Sequence, residues 1–91
     1  MAEVWIPPRM QSLTGGQQTV EIEGATVRQI IENLEKAHPG MKERLVADNR
    51  VKPNISVAVD GEVTPMGMLE KVGESSEVHF LPAIGGGQAA G

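Results

Sequence analysis

The sequence contains no cysteine among its 91 residues. The chain therefore cannot form a disulfide, and no side-chain thiol is present to act as a nucleophile, a metal ligand or a sulfur carrier. The N-terminal segment lacks the basic start and apolar run of a signal peptide, and no stretch of about 18 apolar residues could cross a membrane. These absences lead us to expect a cytoplasmic protein with no membrane partner.

Aromatic and basic residues are also scarce. The only aromatic side chains of the phenylalanine, tyrosine and tryptophan class are Trp5 and Phe80, and the formal net charge is −4. A nucleic-acid-binding protein needs a basic patch that displaces counterions from phosphates, and it often needs aromatic side chains on which bases stack. We therefore expect no nucleic acid partner.

The sequence shows no recognisable set of catalytic or metal-binding residues. His38 and His79 have no partner at ligand spacing, no serine stands in a nucleophile-elbow motif, and the paired glutamates are interpreted as solvated surface groups. A chain of this length also has little room for a deep polar cleft. We predict no catalytic residue, no metal site and no bound cofactor, and therefore no enzyme.

Four methionines are interpreted as fillers of gaps in the core or loops, with an adaptable partner-binding surface as the alternative: Met10, Met41, Met66 and Met68.

The apolar pattern predicts one main helix over residues 26–38. Thr26 and Gln29 form a capping-box pattern at its start, and Pro39-Gly40 follows its end. The helix is expected to be amphipathic because four apolar residues recur at spacings of three and four: Val27, Ile30, Ile31 and Leu34.

Short alternating segments predict the strands. The predicted strands are residues 4–6, 19–23, 55–59, 62–64 and 77–81. A short helical turn is expected over residues 42–45, between the second and the third strand. We expect the first two strands to form a hairpin through Gly15-Gly16, Asp60-Gly61 to form a tight turn, residues 65–69 to be a loop, and Pro82 to end the last strand. This order indicates an α+β fold in which one main helix packs across a mixed sheet of four to five strands, as in a ubiquitin-like β-grasp.

The end of the chain differs in composition from the rest. We expect a β-grasp domain over residues 1–84 and a flexible glycine-rich tail over residues 85–91. The run Gly85-Gly86-Gly87 follows an apolar lead, Leu81-Pro82-Ala83-Ile84, and a purely solvated linker would not carry Leu and Ile at its root. The tail is therefore interpreted as the functional end of the protein.

Four segments carry a family resemblance. They are Leu13-Thr14-Gly15-Gly16, Glu43-Arg44-Leu45-Val46, residues 54–61, and Phe80-Leu81-Pro82-Ala83-Ile84-Gly85-Gly86-Gly87, of which the last is the most diagnostic. With them the sequence resembles the MoaD/ThiS family of ubiquitin-like sulfur carriers over residues 4–87, and most of all its cysteine-biosynthesis branch.

The resemblance implies that the reactive group is the carboxylate of a terminal diglycine, matched here by Gly86-Gly87. An E1-like enzyme would use ATP to adenylate Gly87, and sulfur would then displace the adenylate to leave a thiocarboxylate that donates sulfur in biosynthesis. The implied acceptor is a cysteine synthase-like enzyme, with molybdopterin synthase or thiazole synthase as alternatives. The segment that would bind the partners is Leu81, Pro82, Ala83, Ile84 and Gly85.

One departure from the family pattern is the extension Gln88-Ala89-Ala90-Gly91 after the diglycine. The carrier hypothesis therefore requires cleavage between Gly87 and Gln88, for which the resemblance implies a JAMM-type protease. Two alternatives stay open. The first is a ubiquitin-like modifier that is conjugated to lysines through Gly87, and the second is a non-covalent interaction domain with an incidental tail.

Overall fold

The computed structural model describes residues 1–82. Along the chain the elements are β1 (Ala2–Trp5), a first 3-10 helix (Pro8–Thr14), β2 (Thr19–Ile22), α1 (Val27–Ala37), α2 (Met41–Leu45), β3 (Val46–Ala47), β4 (Arg50–Val51), β5 (Ile55–Val59), β6 (Glu62–Thr64), a second 3-10 helix (Gly67–Leu69) and β7 (Glu77–Pro82). No helix in this part of the chain is long and apolar enough to span a membrane.

Five of the strands form one mixed sheet in the order β2-β1-β7-β5-β6. Strands β1 and β7 pair in parallel, and the other neighbours pair antiparallel. Because β1 and β7 run in the same direction, the C-terminal ends of both strands lie at the same end of the sheet. The predicted mixed sheet therefore has five strands, and β7, which leads into the tail, is its central strand.

Helix α1 packs its apolar stripe on one face of the sheet. Its four predicted apolar residues are all buried, and they pack with inward-facing residues of β1, β2, β5 and β7. The Thr26 hydroxyl accepts a hydrogen bond of 3.2 Å from the Gln29 N–H, as predicted. The side chain of Gln29 accepts instead from the Ala25 N–H at 2.8 Å, so the second half of the capping box is shifted by one residue.

The connection between β1 and β2 contains a 3-10 helix that was not predicted. The two strands do pair antiparallel, with Val4 opposite Val20, but a 3-10 helix lies between them. Pro8 suits the first turn of this helix because its missing N–H has no partner there, and Gly15 ends it with φ 64°. The predicted turn at Gly15-Gly16 is present and follows this helix, with φ 64° and 87° and a hydrogen bond of 3.2 Å from the Gln17 N–H to the Thr14 carbonyl.

Three further segments differ from the sequence-based expectation. Strands β3 and β4 form a small antiparallel hairpin that was not predicted, with Asp48 and Asn49 both at positive φ in its turn. The predicted loop at 65–69 contains the second 3-10 helix. The last strand was expected to span residues 77–81 and to be ended by Pro82, but Pro82 is itself part of β7 and lies opposite Ile55.

The methionines divide between core and surface. Met41 and Met68 are buried and Met10 packs against the core, which confirms the gap-filling interpretation for these three. Of these four methionines only Met66 is exposed, at 53%. The methionines therefore form no continuous surface within residues 1–82.

Candidate functional site at the root of the tail

The structure positions the root of the tail. Leu81 and Pro82 are the last two residues of β7. The other predicted site residues, Ala83 to Gly87 and Gln88, lie outside the described residues, as does the predicted boundary between residues 84 and 85.

Strand β7 is held firmly because it has a neighbour on each side. It pairs with β1 through Glu77 to His79 and with β5 through Val78 to Pro82. Its inward side chains Val78 and Phe80 are buried at 0% and 3% exposure. A side chain of this kind contributes about 1.5–3 kcal/mol when fully buried. The root of the tail therefore belongs to the central strand of the sheet, which pairs on both sides at Val78 and His79 and with β5 alone from Phe80 to Pro82.

A hydrogen-bonded cluster holds the start of β7 against the turn between β5 and β6. The Asp60 carboxylate accepts from the Glu77 N–H at 2.9 Å and from the Ser76 hydroxyl at 2.8 Å. The Ser76 hydroxyl oxygen in turn accepts from the Gly73 N–H at 2.8 Å. The Glu77 N–H, followed by the Ser76 hydroxyl, lowers the pKa of Asp60 below its ordinary value. The predicted turn at Asp60-Gly61 is confirmed, with both residues at positive φ.

The face of the sheet opposite α1, which we call the outer face, carries a row of five residues, three of them apolar, close to the root of the tail. The pairing registers place five residues side by side across the strands in the order Thr19, Trp5, His79, Ala58 and Val63. Trp5 and His79 stack with ring centroids 5.1 Å apart and planes 13° from parallel. Leu81 lies two residues further along β7 on the same face.

Several apolar side chains of the outer face are open to solvent. Trp5 is 37% exposed, Leu81 is 38% exposed and Val63 is 62% exposed. A shallow depression of about 320 Å³ lies beside Trp5 and Leu81, with Pro7 and Pro8 on its rim. Trp5 and Val63 were not predicted as site residues. The sequence signal that could have indicated Trp5 is the alternation in β1, because it places Trp5 on the sheet face opposite to that of Val4.

The remaining candidate polar residues have structural roles. At the end of α1 the backbone N–H of His38, and not its imidazole, donates to the Leu34 carbonyl at 2.8 Å. The Glu32 carboxylate pairs with the Lys42 ammonium at 2.7 Å, and that hydrogen bond lowers the pKa of Glu32. Glu35 accepts from the Gly40 and Lys42 N–H groups, which attaches the start of α2 to α1.

Within residues 1–82 no group of three or more His, Cys, Asp or Glu side chains is arranged to hold a metal ion.

A model of the ThiS family matches residues 4–87. The chain belongs to the ThiS family. The match covers the β-grasp domain together with the glycine motif of the tail, which is the range over which the sequence resemblance was found.

Similar proteins place this ThiS-family chain among the sulfur carriers. It is 29% identical over 89 residues to sulfur carrier protein CysO of Mycobacterium tuberculosis strain H37Rv, and the match covers 92% of this chain and 96% of that protein. Small archaeal modifier protein 3 of Haloferax volcanii is 34% identical over 65 residues, which cover 69% of this chain and 71% of that protein.

Solved structures give the same fold. A chain from the Amycolatopsis orientalis BexX/CysO complex superimposes with a TM-score of 0.88 and 36% identity, covering 96% of this chain and all 100% of that one. The crystal structure of M. tuberculosis CysO gives a TM-score of 0.86 at 27% identity, covering 92% of this chain and 100% of that one. These matches confirm the predicted ubiquitin-like β-grasp.

The comparisons also settle the broad class of the protein. It is a ubiquitin-like protein of the sulfur-carrier family and is related to CysO over most of its length. These relatives are small carrier proteins and not enzymes, which confirms the prediction that the chain is not an enzyme.

Proposed function

We propose that this protein carries sulfur as a thiocarboxylate on Gly87 after residues 88–91 are removed. The observation that carries the proposal is the position of β7. This central strand ends with the exposed residues Leu81-Pro82, directly before the apolar and glycine residues of the family motif. The stable domain is thereby joined to a terminus that can be presented to partner enzymes.

The chemistry follows from the low reactivity of a carboxylate. An oxygen of the Gly87 carboxylate attacks the α-phosphorus of ATP, pyrophosphate leaves, and an acyl-adenylate forms on an E1-like partner. Hydrosulfide, or a partner's sulfur donor acting as its equivalent, attacks the acyl carbon and AMP leaves. The resulting thiocarboxylate sulfur is ionised at neutral pH and is a good nucleophile for the acceptor substrate, for the reason a thiolate is.

Glycine suits a terminus that must enter an active site. Gly86 and Gly87 have no Cβ, so they fit a narrow channel and adopt φ values that other residues resist. At full extension the segment from Pro82 to Gly87 reaches about 20 Å, at roughly 3.3–3.6 Å per residue. That reach allows a partner to hold the carboxylate at the bottom of a deep site while it contacts the folded domain.

The proposed partners are an E1-like adenylating enzyme, a JAMM-type protease that cuts between Gly87 and Gln88, and a sulfur acceptor in the cytoplasm. Cysteine biosynthesis is the favoured destination because CysO proteins are similar to this chain over most of its length. A cysteine synthase-like acceptor is therefore proposed ahead of molybdopterin synthase or thiazole synthase.

The test uses a chain that ends at Gly87 and the adenylating enzyme of the source organism. We expect ATP–pyrophosphate exchange with this chain, none with the 91-residue chain, and none with Gly87→Ala, whose added methyl group obstructs the channel. Circular dichroism should show that Gly87→Ala is folded. Normal exchange by Gly87→Ala, or by the chain that retains Gln88 to Gly91, would contradict the proposal.

A second candidate function is conjugation to proteins. The similarity to small archaeal modifier protein 3 favours it. In that case the activated Gly87 reacts with a lysine amine and not with sulfur. Intact-mass analysis of protein from native cells separates the two functions, because a carrier shows sulfur in place of oxygen at a Gly87 terminus, whereas a modifier appears in larger covalent conjugates.

A further inference from the structure

The chain carries five amino groups that can act as nucleophiles. They are the α-amino group and the ε-amino groups of four lysines: Lys36, Lys42, Lys52 and Lys71. An acyl-adenylate on Gly87 is an electrophile that an amine attacks as well as sulfur does. The distance of each amino group from the root of the tail therefore determines whether the activated chain can react with itself.

Lys52 lies close to the root of the tail. The Ile55 N–H donates to the Lys52 carbonyl at 2.9 Å and closes a turn over residues 53–54, so the Cα atoms of Lys52 and Ile55 are less than about 7 Å apart. Ile55 lies directly opposite Pro82 in the β5–β7 pair, where Cα atoms are about 5 Å apart. The Cα atoms of Lys52 and Pro82 are therefore separated by about 12 Å at most.

The tail is long enough to span this distance. From Pro82 to Gly87 it reaches about 20 Å at full extension, which exceeds the separation of about 12 Å between Pro82 and Lys52. The four-carbon stem of the lysine shortens the remaining gap further. The run of three glycines allows the segment to turn back towards the sheet, because glycine adopts positive and negative φ with similar ease.

The backbone of Lys52 is held on both sides while its side chain stays accessible. Its N–H donates to the Leu45 carbonyl at 3.0 Å, which extends the pairing of the β3–β4 hairpin, and its carbonyl accepts from the Ile55 N–H. The residue is partly exposed, and within residues 1–82 its ammonium group takes part in no ion pair. The ε-amino group is thus kept near the root without being engaged by a neighbouring carboxylate.

Two of the other amino groups lie at the opposite end of the sheet. Met1 precedes β1, which runs parallel to β7, so the α-amino group lies at the end where β7 begins. Lys71 forms a bridge with Thr26 just before α1, at the same end. Strand β7 alone separates this end from Pro82 by about 17 Å, at roughly 3.3 Å per residue. Neither group is therefore placed as close to the root as Lys52.

The remaining two lysines belong to the helical layer. Lys42 is paired with the Glu32 carboxylate at 2.7 Å. Lys36 is exposed in the last turn of α1 and not on a segment that adjoins β7. These two residues serve as matched controls for Lys52, since all three carry the same reactive group.

We propose that Lys52 is a self-modification site, at which its ε-amine captures the activated Gly87 of the same chain in an isopeptide bond. The inference rests on the proposed function, because the acyl-adenylate supplies the electrophile. The unprotonated amine attacks the Gly87 carbonyl carbon, an N–C bond forms, the C–O bond to the phosphate of AMP breaks, and the proton passes to water.

Capture competes with hydrolysis whenever the adenylate meets solvent before sulfur reaches it. A short flexible tether gives the two groups an effective concentration in the millimolar range, so dilution of the protein does not prevent the reaction. The product is a loop closed from Lys52 to Gly87, which has no terminal carboxylate left to activate. Self-modification therefore withdraws the chain from sulfur transfer when sulfur is scarce.

The test incubates a chain that ends at Gly87 with ATP and the adenylating enzyme of the source organism, without a sulfur donor. Intact-mass analysis should show a monomeric product lighter than the starting chain by one water molecule, and fragment spectra of its tryptic peptides should join Lys52 to Gly87. Lys52→Arg keeps the charge but removes the nucleophile, so it should lower the yield at least roughly tenfold. Lys36→Arg and Lys42→Arg should keep the wild-type yield. Added sulfide should replace the product with the thiocarboxylate.

Yields are compared at equal pyrophosphate exchange, and circular dichroism checks that each variant is folded. An unchanged yield in Lys52→Arg, or adenylation that gives no lighter monomer, would overturn the proposal. A product of twice the mass would also overturn it, because capture would then occur between two chains.

A chemically prepared thioester of Gly87 separates this proposal from the proposed function. It supplies an acyl electrophile without the enzyme, and a thiol leaves in place of AMP when the amine attacks. Cyclisation of the thioester that depends on Lys52, in a chain that the enzyme does not adenylate, would refute the thiocarboxylate function and support the self-modification site. Adenylation by the enzyme together with a thioester that only hydrolyses would refute the site alone.

Discussion

Phe80 and Leu81 are neighbours on β7 that face opposite sides of the sheet, and they should respond very differently to truncation. Phe80 is 3% exposed and belongs to the core cluster, whereas Leu81 is 38% exposed on the outer face. Replacing a buried Phe with Ala costs about 3–5 kcal/mol, because the lost transfer energy is joined by the cavity left behind. For Leu81→Ala, which leaves no closed cavity, we expect about 1 kcal/mol.

The loss at Phe80 is large relative to the stability of a domain of this size. At about 0.05–0.15 kcal/mol per residue, the free energy of unfolding is of the order of 5–14 kcal/mol. With a urea m value near 1 kcal/mol per molar, Phe80→Ala should lower the urea midpoint by about 3–5 M, and Leu81→Ala by about 1 M. Over most of this range, Phe80→Ala therefore removes a third or more of the free energy of unfolding.

Urea denaturation followed by Trp5 fluorescence and by far-ultraviolet circular dichroism provides the assay. Trp5 is the sole tryptophan and stacks on His79, so its emission reports on the sheet around both positions. The two probes should give coincident transitions with unchanged m values. Equal midpoints for the two variants would refute the assignment of Phe80 to the core and Leu81 to the outer face.

Two further predictions concern local hydrogen bonds. The lowered pKa of Asp60 means that its contribution to stability is present above the unfolded-state value of 3.8 and is lost as pH falls through the lower folded-state value. The difference in melting temperature between wild type and Asp60→Asn should therefore shrink as the pH falls from neutrality to below 3.8, and a constant difference would contradict this. Thr26→Ala should cost about 1 kcal/mol in urea denaturation because the Gln29 N–H loses its acceptor, and Thr26→Ser should restore it. Equal losses for the Ala and Ser variants would exclude the capping role.

Elements with a strong local signal were predicted well. Helix α1 was predicted within one residue at each end, because its apolar spacing, its Thr26 cap and the following Pro39-Gly40 all act within a few residues. The turn at Asp60-Gly61 was predicted for a similar reason, since a tight turn depends on the φ values of two adjacent residues.

Short elements and long-range pairing were harder to predict. Strands β3 and β4 have two residues each, too few to show alternation, although Asp48-Asn49 was an available signal for their turn. The parallel pairing of β1 with β7 joins the two ends of the domain, and no local pattern encodes it.

By itself the sequence determined the fold class, the main helix, the absence of a thiol and the family to which the glycine motif belongs. These properties depend on composition or on residues close together in the chain. Only the tertiary structure decided which residues share the outer face. Glu3, Glu21 and Glu77 are isolated glutamates in the sequence, and they become one row because the strand registers align them. The same registers place Trp5 beside His79 and Val63 two strands beyond, next to the root of the tail.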